Sequence, residues 1–132
     1  MATILLIGAF DTKGEEYAFV KNIICARGHE TLGLHTGVFD ADQSMHVDVS
    51  NGDVAQAGGK PIDQLQEKQD RGEAMKVMSD GAAVITRQLY DQGRFDGVIG
   101  LGGTGGTSVI TAGMQSLPIG VPKVMVSTAA SG

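Results

Sequence analysis

The sequence predicts an open parallel α/β fold, with about four strands in one sheet and helices on both faces. Three observations predict it. Continuously apolar runs of strand length, such as Thr3-Ile4-Leu5-Leu6-Ile7-Gly8-Ala9, read as strands buried on both sides. Segments with helical spacing alternate with these runs, a βαβαβαβ order that right-handed crossovers fold into a Rossmann-like sheet. Glycine-bearing junctions follow two of the strands, at the carboxyl rim where such sheets bind ligands.

Thr3 to Ala9 is the first and central strand. Asp11-Thr12-Lys13-Gly14-Glu15 follows, with Thr12 and Glu15 at capping-box spacing and Glu15-Glu16 placing negative charge in a first helical turn. A helix is predicted over residues 14–27, with Phe19, Ile23 and Ala26, flanked by Val20 and Ile24, as its apolar stripe and Gly28 as its stop. Cys25 reads as a small buried core residue on that helix. His29 to Val38 reads as a second strand.

Residues 39–60 lose periodicity, and Asp40, Asp42, Asp48, Asn51 and Asp53 among glycines predict one long exposed loop. Pro61 opens a short helix. A longer helix runs from Asp70 to Gly93, started by Asp70 and Glu73 at capping-box spacing, with Ala74, Val77, Met78, Val84, Ile85 and Leu89 on one face. Phe95 to Leu101 is the third strand, Thr107 to Leu117 the last helix, and Pro122 to Thr128 the fourth strand.

A chain of 132 residues suits a single domain. Its single cysteine can form no internal disulfide, the N-terminus lacks a basic leader, and no apolar run reaches the roughly 20 residues that span a bilayer. The expectation is a soluble cytoplasmic protein with no membrane contact. A net charge of −5 and the absence of tryptophan argue against nucleic acid as a partner. Charge is uneven, because from Gly97 to Gly132 the only charged side chain is Lys123. Such a segment should lie in a core, face a ligand or meet a partner.

The run Gly97 to Ser108 passes from an apolar strand into Gly102-Gly103-Thr104-Gly105-Gly106-Thr107, a backbone almost stripped of side chains. A strand that ends in glycines and restarts as a helix leaves amide donors at the positive end of the helix dipole, where phosphates bind. Gly100, Gly102 and Gly105 satisfy G-x-G-x-x-G, but the acidic residue a dinucleotide site needs about 20 residues later is missing. The same stretch has Walker-like spacing without its lysine. Lys13, in the first loop of the same rim, can supply that charge. Arg71 opposes the dipole of the helix it opens, a conflict that a nearby phosphate removes. Asp11 either caps the first helix or holds a magnesium ion that accompanies phosphates. His29, His35 and His46 form no metal or catalytic spacing, and no nucleophile is read.

Four segments, Ile7 to Glu16, Asp70 to Met75, Asp96 to Ser108 and Ser116 to Gly132, resemble the uncharacterised bacterial and plant proteins related to the tobamovirus-resistance protein. The resemblance implies an ATP-binding lobe, with Asp11, Thr12, Lys13, Gly14, Arg71 and Gly102 to Thr107 beside the phosphates and Ser127 and Thr128 on the same rim. It also implies that residues 1–132 are one lobe of a longer two-lobe domain, whose remainder covers the charge-poor final third. The expected function is nucleotide binding, with ATP and accompanying magnesium as the ligand. Two alternatives stand beside it: the first lobe of an enzyme acting on a small phosphorylated or carboxylated metabolite, and a protein-interaction module that contacts protein through the Gly97–Gly132 surface and the 39–60 loop; a second copy of the chain and the C-terminal remainder are the expected protein partners.

Overall fold

A computed structural model describes residues 1–68 and 70–127 of the chain. It contains β1 (Thr3–Gly8), α1 (Gly14–Ala26), β2 (Glu30–His35), α2 (Asn51–Ala57), α3 (Ile62–Lys68), α4 (Arg71–Asp91), β3 (Gly97–Gly102), α5 (Thr104–Gln115) and β4 (Lys123–Ser127). All strand pairings are parallel and the sheet order is β2-β1-β3-β4. The predicted four-stranded Rossmann-like α/β architecture is therefore the observed one.

Alternation along β1 divides the core between the two faces. Leu5 and Ile7 join Leu34, Val98 and the buried sides of α4 and α5, while Leu6 joins Phe10, Tyr17 and Met45 on the face of α1. The outer edge of β2 is covered by residues 48 and 49, whose N–H groups both donate to Gly33 O, while the Asp48 carboxylate accepts the Gly33 N–H at 2.7 Å. Among the described residues no strand pairs with the other edge, β4, whose Val124 and Val126 stand about half exposed on one face.

The chain departs from the sequence expectations at several places. First, the apolar stripe of α1 is rotated: Tyr17 is fully buried, Phe19 is 65% exposed, and Ile23 and Cys25 also face solvent. Second, neither Asp11 nor Thr12 caps α1; Lys13 is its N-cap residue, with no side-chain cap bond. Third, α2 lies inside the expected loop, capped by Ser50 Oγ accepting the Asp53 N–H at 3.2 Å and buried through Val54 and Ala55. Fourth, α5 starts at Thr104 rather than Thr107, so the glycines form its first turn instead of an extended loop. On α4, Asp70 caps as expected, its Oδ1 accepting the Glu73 N–H at 3.1 Å, but Val84 faces water while Gly81, Ala82 and Thr86 are buried.

The rotation of α1 has a polar cause. Pairing of β1 with β3 runs from Ile4↔Gly97 to Ile7↔Gly100, and beyond it the strands part. The Tyr17 hydroxyl sits in that fork, accepting the Leu101 N–H at 2.7 Å and donating to Ile7 O at 2.6 Å, with Leu101 O at 3.0 Å. A side chain that satisfies splayed backbone groups outranks one that only buries area, because a buried unpaired N–H costs about 1–3 kcal/mol.

Burial pushes the Tyr17 phenol far above the ordinary tyrosine value of 10.0, against a smaller opposite effect of its bond to Leu101. A raised folded-state pKa means a stabilisation that is complete below pH 10 and is lost as pH climbs beyond it. In a Tyr90→Phe chain, phenolate absorbance from Tyr17 should therefore rise only together with loss of helical circular dichroism. Tyr17→Phe should lower urea-unfolding stability by about 1–3 kcal/mol without changing the secondary structure.

Candidate functional site

At the carboxyl rim, where β1 and β3 separate, lies a cavity of about 570 Å³. Ala9, Asp11 and Thr12 line it from the loop after β1, and Thr36, Gly37, Val38 and Phe39 from the segment after β2. Arg71, Ala74, Met75 and Met78 of α4 and Gly106 and Val109 of α5 complete it. A smaller recess of about 350 Å³ adjoins it, sharing Val38, Phe39, Arg71 and Ala74. A third depression, about 550 Å³, lies over α2 and α3, and its lysine, Lys60, already pairs with Glu73 at 2.9 Å.

The sequence-predicted residues divide between the cavity and its surroundings. Asp11, Thr12, Arg71 and Gly106 are brought together in the lining. Lys13 stands next to them at the head of α1, partly buried. Gly14 is buried because a Cβ there would strike the Asp42 side chain, so its smallness seats the 40–48 segment on α1. Gly102 ends β3 directly against Thr107, with which a Cβ would collide, and it pairs in register with Ser127 of β4. Gly103 is the N-cap of α5; its carbonyl accepts both the Thr107 N–H and the Thr107 hydroxyl. Thr104 and Gly105 belong to the first turn of α5, and Thr128 lies outside the described residues.

The electrostatics of this rim are one-sided. Neither Arg71 nor Lys13 has a hydrogen-bond or ion-pair partner for its side chain among the described residues. The first-turn amides of a helix have no intrahelical acceptor, and the N-cap residue of α5, Gly103, has no side chain with which to cap them. By contrast, the neighbouring Glu73 is engaged by Lys60, whose hydrogen bond is the main cause holding its carboxyl below the usual range. Asp11, the one carboxylate lining the larger cavity, spends both oxygens on the backbone: Oδ1 accepts the Thr12 N–H at 3.0 Å and Oδ2 the Phe39 N–H at 3.2 Å.

The wall formed by residues 36–39 is tied down by side chains that the sequence did not mark as functional. His35, buried and stacked on Phe10, accepts N–H bonds at Nδ1 from Phe10 (3.1 Å) and Gly37 (3.3 Å). These partners assign the neutral ring, with the proton on Nε2 donated to Phe39 O at 2.7 Å. Asn51 Nδ2 reaches Gly37 O, Val38 O and Phe39 O at 2.9, 3.2 and 3.1 Å, and Gln66 Nε2 reaches Val38 O at 2.8 Å. The signal available for Asn51 was the Ser50-x-x-Asp53 capping spacing just around it. His35 carried none, since its partners are main-chain groups remote in sequence.

Asn51→Ala should release this wall. Amide hydrogen exchange of Val38 and Phe39 should accelerate at least tenfold, with a stability loss of about 1–2 kcal/mol by urea unfolding, while exchange in β1 and β3 changes only by that global amount.

Residues 2–132 match the model of the N-terminal domain of an uncharacterised protein family, UPF0261. A UPF0261 protein of Clostridium tetani is 44% identical over 129 residues, covering 98% of this chain and 32% of its own length. One from Mesorhizobium japonicum is 41% identical over 134 residues, covering all of this chain and 32% of its own. The tomato ToMV resistance protein Tm-1(GCR237) is 48% identical over 62 residues, which is 47% of this chain and 8% of the tomato protein. The chain thus spans about a third of the length of its bacterial relatives. Among the described residues no helix is long and apolar enough to cross a membrane. With nearly every residue accounted for by that one domain model, the chain belongs to the UPF0261 family.

Proposed function

We propose that this domain binds a nucleotide, with ATP as the ligand and its phosphates at the first turn of α5. The observation that carries the reading is the joint placement of Arg71 and Gly106 in one rim cavity. A guanidinium with no partner among the described residues there shares the cavity with the first turn of a helix whose N-cap, Gly103, has no capping side chain. An anion satisfies both at once, taking N–H bonds from the α5 turn and charge from Arg71. It also offsets the cost of a cation at the head of α4, about 0.3–1 kcal/mol. Lys13, at the head of α1, is within the same rim and adds a second mobile charge.

Magnesium fits the phosphates better than it fits the protein. Among the described residues no three His, Cys, Asp or Glu side chains come together for a metal ion, and each Asp11 oxygen already accepts one backbone N–H. An ion that accompanies ATP is therefore held by phosphate oxygens, and the reading assigns the protein no step through it.

A second reading, protein interaction, is favoured by one observation. β4 carries Val124 and Val126 on an edge that no described strand pairs, and the one charge on the strand, Lys123, stands at its start and is folded back onto Pro118 O and Val121 O. On this reading the chain associates through β4, and light scattering should give a mass above the 13.7 kDa monomer that Val126→Lys restores to the monomer value.

Isothermal calorimetry with ATP and magnesium tests the first reading. Arg71→Ala should weaken binding at least tenfold, as expected for loss of a charge-assisted bond worth about 1.5–3 kcal/mol. Gly106→Val is the sharper variant, because a Cβ there meets no atom within 4 Å and so leaves the fold intact while entering the cavity. Binding should disappear with unchanged circular dichroism; undiminished heat in both variants would contradict the assignment.

A further inference from the structure

The lining of the rim cavity is mostly apolar, which a site for phosphate alone does not require. Val38, Phe39, Ala74, Met75, Met78 and Val109 all face it. Two of them are conspicuously bare: Phe39 is 55% and Met75 38% exposed. The main chain of Phe39, however, is among the most firmly held in the molecule. Its N–H goes to Asp11, and its carbonyl accepts from both His35 and Asn51. A fixed backbone that presents an unburied aromatic ring at a cavity mouth does nothing for the core and makes a stacking platform.

We infer that this apolar portion is the subsite for an aromatic ring, the base of the nucleotide, stacked on Phe39 and bedded against Met75. The inference rests on the phosphate-site reading above and extends it from phosphate to base. The same geometry implies that the subsite takes the base without identifying it. Among the described residues no Asn or Gln lines the larger cavity; its side-chain hydrogen-bonding groups besides Arg71 are the Thr12 and Thr36 hydroxyls and the Asp11 carboxylate, each oxygen of which already accepts one backbone N–H. The carbonyls of Val38 and Phe39, which could otherwise read a base edge, each already have two side-chain donors within hydrogen-bond distance, Asn51 and Gln66 for the first and His35 and Asn51 for the second. Stacking is tolerant of sequence because every base offers a π-face, and this lining holds no amide side chain that could read a base edge through a paired donor and acceptor.

The class of ligand is therefore a nucleoside polyphosphate of broad base tolerance rather than a small phosphorylated metabolite. Calorimetry with ATP, GTP, CTP and inorganic tripolyphosphate, each with magnesium, tests this on the intact chain and on Phe39→Ala. Because the Phe39 ring is exposed and only its main chain ties the wall, the variant keeps the fold, which circular dichroism verifies. The expected result is that the three nucleotides bind within about fivefold of one another and tripolyphosphate at least tenfold more weakly, as a stacking contribution of about 1–3 kcal/mol per base requires. Phe39→Ala should bring ATP towards tripolyphosphate and leave tripolyphosphate unchanged. Equal affinity of tripolyphosphate and ATP would overturn the ring subsite while leaving the phosphate site standing. A preference for one base above a hundredfold would overturn its tolerance, and the absence of binding by all four would overturn both subsites together.

Discussion

The Tyr17 hydroxyl, lodged between Ile7 O and the main chain of Leu101, is the contact on which the rest of this architecture turns. Parallel strands in register need no such help, but β1 and β3 must separate at their carboxyl ends, since β1 leads to α1 on one face and β3 to α5 on the other. That separation is what opens a ligand crevice in a sheet of this order. It also leaves backbone donors and acceptors without strand partners inside the protein. One phenol from α1 satisfies them and fixes the helix rotation at the same time. The exposure of Phe19 and Ile23 is a consequence of that choice rather than a failure of the apolar pattern.

A second set of polar contacts sets the opposite wall. His35, Asn51, Gln66 and Asp11 each place at least one hydrogen bond on the short stretch between Gly37 and Phe39, so a segment with no regular structure is as constrained as a strand. Against this satisfied frame, Arg71 stands out for having no partner among the described residues. A cation without a described partner at the head of α4, in one cavity with the first turn of a glycine-capped helix, is a local conflict beside an otherwise tied-down wall, which is why the proposed anion is set there.

The fold was legible in the chain because β1, β3 and the head of α4 each carry a local signal that tertiary structure does not contradict. Thr3–Gly8 is apolar at every position but the first and last, Asp70 has its capping partner three residues on, and the glycines from Gly102 mark a strand-to-helix junction. The face of α1 was not legible, since periodicity weighs apolar bulk and cannot register a hydroxyl needed at a fork 84 residues away. Helix α2 was hidden by its own brevity and its Asn, Gly and Asp, although Val54 and Ala55 bury it against the core. In the site, Arg71 betrayed itself by opposing a dipole and Gly106 by its neighbours, both of which are sequence-local facts. Phe39, Met75, His35 and Asn51 became meaningful only when α4 and the segment after β2 met across the cavity.

The central claim is that a phosphate sits between the α5 N-terminus and Arg71, with a base on Phe39. Amide chemical-shift mapping of the isotopically labelled chain during titration with magnesium ATP addresses it most directly, because every wall of the cavity reports separately. The account predicts the largest shifts at Gly103 to Thr107, Asp11 to Lys13, Phe39 and Arg71, with β2 and the C-terminal half of α4 unmoved. Shifts confined to the depression over α2 and α3 or to β4, or none at millimolar ATP, would contradict it.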